Sequence, residues 1–433
     1  MEQASRRQGN RIRDGECAVS RRLQAGLSLI ELMVALLLST LLVLGLIQIF
    51  STSRASYQMA QGLARAQESS RFAIDALQRD ARMSGHFGCV SDQAHFYAGN
   101  GMFGELFLSD RTNYNSMPAA NEPLRFDYSI RGYEATGTAP TDTLNLSSDP
   151  KTGVAGDWSP ALSKEFFAAL KPTPIRGSDI VVLRSLSAES AEVTGFVTGD
   201  PATIQVNSAQ WDVLTKTSAN PGLFGIADCR SVVMFQATKA ENVGGAWLVT
   251  VQKKGLNQIA FDGSDTFAKG QARLYRAESL VYYVGFKQPE DTETPKNNEL
   301  VLYRARFTAL PGADALSLDA DTGISEEVVE GVENMQLLYG QDTVTDPTQS
   351  PTGVIDSVRT AATLLPDSNS SGGWQRVGEM QVGLLIRSTD PASAQKRTVV
   401  QRSLGTQLTL PDDQRYRTVY ETNIALRNRL YGN

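Results

Sequence analysis

The fold of this chain is decided near its N-terminus by Gln24-Ala25-Gly26-Leu27-Ser28-Leu29-Ile30-Glu31, which precedes nineteen uncharged residues from Leu32 to Phe50. That run is long enough to cross a bilayer as a helix. A carboxylate at its start is costly in lipid, roughly 2.5–3.5 kcal/mol on insertion scales. We therefore expect a segment that leaves the bilayer and packs against copies of itself, where Glu31 finds a cation.

The flanking charges predict the orientation of this segment. Six arginines precede the apolar run: Arg6, Arg7, Arg11, Arg13, Arg21 and Arg22. Basic residues stay on the cytoplasmic side, so the N-terminus is expected in the cytoplasm and the bulk of the chain outside. A secretory signal fits less well, because its apolar region is shorter and precedes the cut. A plain signal anchor with an accidental Glu31 is the remaining alternative.

The spacing of these elements resembles the class III leader of type IV prepilins and type II secretion pseudopilins. In that family a prepilin peptidase cuts after a glycine that precedes an apolar residue, and a glutamate is fifth in the mature chain. The resemblance implies cleavage between Gly26 and Leu27, methylation of the Leu27 amine and an assembly role for Glu31. The family's usual first residue is phenylalanine, so Leu27 is a mild departure that keeps the position apolar.

Three further stretches resemble PilW-type minor pilins: Glu68–Cys89, Val329–Asp342 and Thr422–Arg429. The resemblance implies a minor pilin that helps initiate type IV pilus assembly and sits at or near the tip. The partners it implies are other minor pilins, the major pilin, the prepilin peptidase and the inner-membrane assembly platform, with a large tip adhesin as a further candidate. The implied location is the inner membrane, with the head periplasmic, and then the pilus at the cell surface.

Charge and length constrain the part of the chain beyond the leader. The formal charge of −6 comprises +3 in residues 1–26, which leaves −9 for the remaining 407 of the 433 residues. An acidic balance gives no electrostatic basis for nucleic-acid binding. The length permits a substantial core, in one large or two smaller lobes.

The cysteines point to a disulfide. Cys17 lies in the implied leader, so Cys89 and Cys229 would remain in an oxidising compartment, which predicts that they pair. Two unpaired buried thiols are the alternative. No CxxC motif occurs and the chain has only His86 and His95, so no metal site and no cofactor are predicted.

The pattern of the whole chain predicts an α+β fold, with a long N-terminal helix and a mostly antiparallel, β-rich, pilin-like head. We expect a leader over 1–26, a helix over 27–85 (27–50 transmembrane, 51–85 amphipathic) and a head over 86–433. Gly85 and Gly88 are predicted to end the helix. Helical patches are expected near Pro160–Leu170 and Asn207–Ser218. Strands are expected at Asp179–Leu186, Val232–Thr238, Trp247–Gln252, Leu280–Phe286, Glu299–Phe307, Met335–Tyr339, Met380–Ser388, Thr398–Ser403 and Thr418–Leu426.

Individual residues carry weaker predictions. The four tryptophans are interpreted as core or rim residues, and Tyr282-Tyr283 should place one ring inward and one outward. Asp319–Gly323 begins like a calcium loop but lacks its glycine and its final glutamate, so a solvated acidic turn is expected there. The loop with Asp342 and Asp346 is interpreted in the same way.

No catalytic constellation is present in the sequence, so the chain is not predicted to be an enzyme. Neither GxSxG nor a P-loop nor a dinucleotide-binding glycine motif occurs. The sequence supports three functions, in order of preference: a PilW-like minor pilin, a large J-type pseudopilin of type II secretion, and a membrane-anchored periplasmic binding protein or enzyme. The length favours the first over the second, because J-type pseudopilins are typically about half this size.

Overall fold

We describe a computed structural model that covers residues 28–428, except 90–103, 112, 114–115, 148, 217, 219, 289–298, 320–322, 345–351, 365–372 and 393–398. The implied leader, including the Gly26–Leu27 cleavage site, lies outside the described residues. The chain divides into two compact units, Met1–Ser56 and Tyr57–Asn433. We call them the anchor unit and the head unit.

One continuous helix, α1, runs from Leu29 to Met83, within the predicted range of 27–85. Its sequence contains no proline, and its only glycines are Gly45 and Gly62. The predicted stop is confirmed, because Gly85 and Gly88 both adopt left-handed backbone angles with φ of 79° and 76°. The last helical residue is Met83, and Ser84 and Gly85 form the turn that follows it.

The two parts of α1 differ in burial. All described residues of the anchor unit except Ala55 are exposed, and the helix is long and apolar enough to cross a membrane. The part in the head unit buries a stripe of mostly small residues, namely Gly62, Ala66, Ser70, Ala73, Ala76, Leu77 and Ala81. The spacing of three or four residues places these side chains on one helix face. The predicted amphipathic half is thus present.

The described residues also form two short helices and twenty strands. The helices are α2 (Lys164–Ala169) and α3 (Ser208–Thr215), both inside the predicted helical patches. The strands are β1 Gly104–Leu106, β2 Ile130–Ala135, β3 Thr143–Asn145, β4 Trp158–Ser159, β5 Ile180–Val197, β6 Ala202–Val206, β7 Leu223–Ala227, β8 Val232–Gln236, β9 Lys239–Val243, β10 Ala246–Val251, β11 Arg273–Phe286, β12 Leu300–Thr308, β13 Ser317–Leu318, β14 Glu326–Glu330, β15 Val332–Gln341, β16 Ser357–Arg359, β17 Val377–Pro391, β18 Val400–Ser403, β19 Thr406–Thr409 and β20 Arg415–Ala425. Short 3-10 turns lie at Ala119–Leu124, Ala155–Asp157 and Trp374–Arg376.

These strands form three sheets. The largest sheet has thirteen strands. Eight of them follow the order β1-β8-β7-β11-β5-β6-β10-β9, and the other five, β2, β4, β12, β13 and β14, pair beside this series. A four-stranded sheet has the order β16-β15-β17-β20, and a three-stranded sheet has the order β18-β19-β3. The pairings are antiparallel except β1–β8 and β3–β19. The α+β class with a mostly antiparallel head is therefore confirmed.

Apolar residues cover both faces of the large sheet. One face packs against α2 through Phe166 and Tyr283, while the other meets α1 and the four-stranded sheet through Tyr282 and Met335. Burying an aromatic or aliphatic side chain of this size stabilises a fold by about 1.5–3 kcal/mol. A third, aromatic core lies under α3, where Trp211 stacks on Trp247 with ring centroids 4.7 Å apart.

The prediction for Tyr282-Tyr283 was wrong in one respect. The two rings do point to opposite faces, but neither is solvent-exposed. A strand alternates its side chains between two faces, and here both faces lie under a core. The tryptophan interpretation is confirmed, since Trp158, Trp211 and Trp374 are buried and Trp247 is half-buried.

Candidate assembly segment and helix–head junction

Glu31 lies in the first turn of α1, where its Oε2 accepts the backbone N–H of Ser28 at 3.0 Å. Serine followed three residues later by glutamate is the sequence of a capping box, and this bond is one half of it. A negative charge is also favourable at a helix N-terminus, where the helix dipole is positive. Gly26 and Leu27 lie outside the described residues. Of the three predicted processing and assembly residues, contacts can therefore be described for Glu31.

At the other end of α1, Asp80 joins the helix to the head by polar contacts. Its Oδ2 accepts the hydroxyl of Tyr282 at 2.5 Å and Nη1 of Arg304 at 2.8 Å. Arg304 also donates Nη2 to Glu326 at 2.7 Å, so one guanidinium bridges two carboxylates. Burial and the adjacent Asp80 carboxylate raise the pKa of Tyr282, which keeps the phenol protonated as a donor. The helix end is thereby tied to β11, β12 and β14.

The last described residue returns to the end of α1. Asn428 donates Nδ2 to the carbonyls of Arg82, Met83 and Ser84 at 3.1, 3.4 and 3.2 Å. The last four carbonyls of a helix have no partner within it, so this amide satisfies groups that would otherwise need water. Asn428 thus caps the C-terminus of α1 from the far end of the chain.

The chain leaving α1 is fixed by backbone and covalent contacts. The N–H of Gly85 donates to the carbonyl of Arg184 at 3.0 Å, within β5. Cys89 and Cys229 form a disulfide with their Cα atoms 4.7 Å apart, which confirms the predicted pairing. It links the end of α1 to the turn between β7 and β8, across a separation of 140 residues. A loop of that length corresponds to about 5 kcal/mol in the chain-entropy model.

A buried carboxylate lies where the two larger sheets meet. Asp179, just before β5, donates its N–H to the carbonyl of Met335 at 2.8 Å. Its side chain accepts the N–H groups of Ala135 at 2.7 Å and Leu337 at 2.8 Å. Burial raises the pKa of Asp179 to about 8, and the nearby Glu134 acts in the same direction. The seam between the sheets therefore contains a titratable group.

The described residues offer no group of three His, Cys, Asp or Glu side chains that could hold a metal ion. Asp319, the first residue of the calcium-like stretch, accepts the hydroxyl of Ser218 at 3.0 Å, while 320–322 lie outside the described residues. Asp342 is buried and accepts the N–H groups of Val344, Thr352 and Gly353. The prediction of a solvated acidic turn was therefore wrong for Asp342, which is buried because its carboxylate holds the N–H groups of its own loop. Asp346 is not among the described residues.

Sequence reasoning found some of these residues and missed others. It singled out Glu31, Cys89 and Cys229. It missed Asp80, although an acid between Leu77 and Ala81 on the buried stripe was a usable signal. Asn428 was noted only as part of the PilW-like stretch Thr422–Arg429. The residues around Asn428 in the sequence give no sign that its side chain contacts the end of α1.

Comparison with known families adds two matches at opposite ends of the chain. The model of the type IV pilus-assembly protein W (PilW) matches residues 281–428, which include β12, β15, β17, β20 and Asn428. The prokaryotic N-terminal methylation motif matches residues 21–47, which include Gly26, Leu27 and Glu31. No curated protein and no solved structure matches the chain.

The two matches agree with the geometry. The methylation motif covers the start of the apolar helix, and the PilW match ends at the residue that caps that helix. A long apolar N-terminal helix followed by an antiparallel β-rich unit is the architecture seen here. Over these two ranges the chain therefore matches a type IV pilin of the PilW family.

Proposed function

We propose that this chain is a minor pilin that helps initiate type IV pilus assembly and sits at or near the pilus tip. The observation that carries the proposal is the presence of both family matches on one chain, the methylation motif over 21–47 and PilW over 281–428. The PilW match favours the pilus over a type II secretion filament. A role in assembly is also consistent with the helix, which continues without a break from the apolar segment to the head.

The first step of the proposed function is processing of the leader. A prepilin peptidase cuts between Gly26 and Leu27, and the new Leu27 amine is methylated. Before assembly the chain resides in the inner membrane, with its N-terminus in the cytoplasm and its head in the periplasm. It is then incorporated into the pilus. The arginines before the apolar run support this orientation.

The second step is docking through Glu31. In a filament core made of apolar helices, an isolated carboxylate is strongly disfavoured. Its partner is the amine of a mature N-terminus, either that of its own Leu27 or that of an adjacent subunit. A charge pair in such surroundings sets axial register more than it adds net stability. The bond from the Ser28 N–H, at 3.0 Å, supports a carboxylate turned toward its own helix start.

The proposed partners are the other minor pilins, the major pilin, the prepilin peptidase and the assembly platform, with a large tip adhesin beyond them. The proposal is tested by deleting the gene and restoring it as wild type, Gly26→Val or Glu31→Ala. We expect few surface pili in the deletion strain and no processing of Gly26→Val, because bulk blocks the cut. Glu31→Ala should be cut normally yet fail to co-purify with other minor pilins.

Glu165→Ala, on the exposed side of α2, is the control and should behave as wild type. Immunogold labelling of wild-type pili should place the head at filament tips. Normal piliation in the deletion strain would contradict the proposal. Lost type II secretion with normal pili would identify the chain as a pseudopilin instead.

A further inference from the structure

One end of the four-stranded sheet is irregular, and five charged residues meet there. In β15, Glu333 is the extra residue of a bulge, since its two neighbours pair with adjacent residues of β17. The ladder between β17 and β20 shifts its register at the same end, between Arg387 and Pro391. Such irregularities redirect the side chains beside them. The residues that they bring together, which we call the arginine cluster, are Glu333, Arg387, Asp413, Arg415 and Arg417.

Arg417 takes most of the negative charge in the arginine cluster. Its Nε and Nη2 donate to Glu333 at 2.5 and 3.1 Å. Its Nη1 and Nη2 donate to Asp413 at 2.5 and 2.7 Å. Two parallel bonds from a guanidinium to a carboxylate are the strong form of this ion pair. Both carboxylates are therefore committed to Arg417, and the other two arginines have only longer contacts with them.

The contacts of Arg387 and Arg415 leave their charges poorly compensated. Arg387 reaches Glu333 with Nη1 at 3.4 Å, and Arg415 reaches Asp413 with Nε at 3.8 Å. Arg415 also gives Nη1 to two backbone carbonyls of β17, which are neutral. Only 3% of the Arg387 side chain is exposed, and its Nη2 is buried without a hydrogen-bond partner among the described residues. A buried donor of this kind is costly unless something accepts from it.

The arginine cluster has one positive charge more than its carboxylates neutralise. Three arginines face two carboxylates, which leaves a net charge of +1. Burial lowers the pKa of Arg387, and of the two neighbouring cations Arg415 adds to this more strongly than Arg417. A guanidinium still keeps its proton at neutral pH, because its ordinary pKa is above about 12. The excess charge therefore cannot be removed by deprotonation and needs an anionic partner.

We propose that the arginine cluster binds a small monovalent anion of the chloride type beside Arg387 and Arg415. The anion accepts Nη2 of Arg387, the donor that no described residue satisfies. One negative charge makes the cluster neutral, and a single spherical ion needs N–H donors but no particular shape. The inference is independent of the proposed function, because the site depends only on how the head is folded.

The anion would stabilise the irregular end of the sheet. Arg387 belongs to β17 and Arg415 to β20, and the ladder between these two strands shifts its register at this point. An ion held by both strands links them where regular backbone pairing is interrupted. Arg415 and Asp413 have 21% and 20% of their side-chain surface exposed, so the ion can enter from solvent on that side.

Unfolding of the full-length chain in a non-ionic detergent tests the site. Chloride replaces gluconate, from about 1 to about 300 mM at constant ionic strength, so that screening of surface charges stays the same. An anion that binds only the folded state raises the unfolding midpoint with its concentration. We expect a rise of several degrees that follows a saturation curve, and a chloride NMR line that the folded chain broadens.

Equal midpoints in the two salts would overturn the inference. That result would show that water, bridging to a neutral acceptor such as the equally unpartnered amide oxygen of Gln401, satisfies Nη2 of Arg387.

Arg387→Met separates this site from chloride binding elsewhere on the chain. The variant leaves two arginines with two carboxylates, and an apolar side chain in place of a buried charge is often tolerated. We expect it to fold and to lose both the chloride dependence and the line broadening. Arg402→Met, at an exposed position of β18, is the control and should keep them. A chloride effect that survives Arg387→Met would place the ion elsewhere and refute the proposal.

Asp413→Asn changes the charge in the opposite direction and does not depend on whether Arg387→Met folds. Removing this carboxylate raises the net charge of the arginine cluster by one unit. Half-saturation should then occur at a chloride concentration at least about threefold lower than in the wild-type chain, because the attraction for the anion is stronger. Unchanged or weaker chloride binding by this variant would contradict a site built on the excess positive charge.

Discussion

The carboxylate of Asp80 in α1 lies 2.8 Å from the guanidinium of Arg304 in β12, across 224 residues of sequence. Both side chains are mostly buried, with 12% and 17% of their surface exposed. Removing Asp80 would leave Arg304 paired with Glu326 alone and the Tyr282 hydroxyl without its acceptor. This contact therefore helps to hold the C-terminal part of α1 against β11 and β12.

We expect Asp80→Ala to lower the free energy of unfolding by about 1–3 kcal/mol, because the Tyr282 hydroxyl loses its acceptor and Arg304 keeps only Glu326. Asp75→Ala, on the exposed side of the same helix, should change it by less than about 0.5 kcal/mol. Denaturant unfolding of the full chain in detergent measures both. Equal effects of the two substitutions would show that the pair does not stabilise the junction.

The cap at the end of α1 gives a second prediction. Asn428→Ala should cost about 1 kcal/mol, the usual value for a lost helix cap. Asn428→Asp should cost more, since a carboxylate cannot donate and would face the negative end of the helix dipole. Asparagine at 428 should therefore give the highest unfolding midpoint in this series, and aspartate the lowest. A stability of Asn428→Asp above that of Asn428→Ala would exclude the capping role.

Alanine substitutions at two glycines of α1 should have opposite effects on stability. A Cβ at Gly62 would lie 2.7 Å from the Cβ of Ala392, so Gly62→Ala should destabilise the head by about 1–3 kcal/mol. A Cβ at Gly45 meets nothing within 4 Å, so Gly45→Ala should stabilise the helix by about 0.5–1 kcal/mol. Thermal unfolding followed by circular dichroism separates them. If Gly62→Ala is as stable as wild type, the helix does not pack closely there.

Asp179 predicts a pH dependence of stability. Its pKa is about 8 in the folded chain and close to 3.9 when unfolded, so the folded state binds the proton more tightly. This contribution is fully present below about pH 4 and is lost as the pH rises through 8. The slope for one such group is about 1.4 kcal/mol per pH unit between those limits.

The variant Asp179→Asn should remove this slope, because an amide does not titrate. Asp212→Asn, exposed on α3, should retain it. Unfolding in denaturant at several pH values from 4 to 9 provides the measurement. A wild-type chain whose stability rises over that range would show that the two N–H donors, from Ala135 and Leu337, keep Asp179 ionised.

Local sequence determined the elements whose signals are local. The apolar run, the lack of proline and the glycines at 85 and 88 determined α1, and the nine predicted strands all appear with shifted ends. Glycine can adopt the left-handed angle that stops a helix, and an apolar run can be read without knowing its neighbours. The pairing of Cys89 with Cys229 followed from their being the two cysteines outside the predicted leader.

Tertiary structure decided everything that depends on distant partners. The strands β2, β7 and β14 were not predicted, because short strands take their stability from the sheet they join. Nothing near Tyr283 reveals that α2 covers it, and nothing near Asp80 or Asn428 reveals their partners. Periodicity gives the face on which a side chain lies, but only the arrangement of the sheets determines what packs against that face.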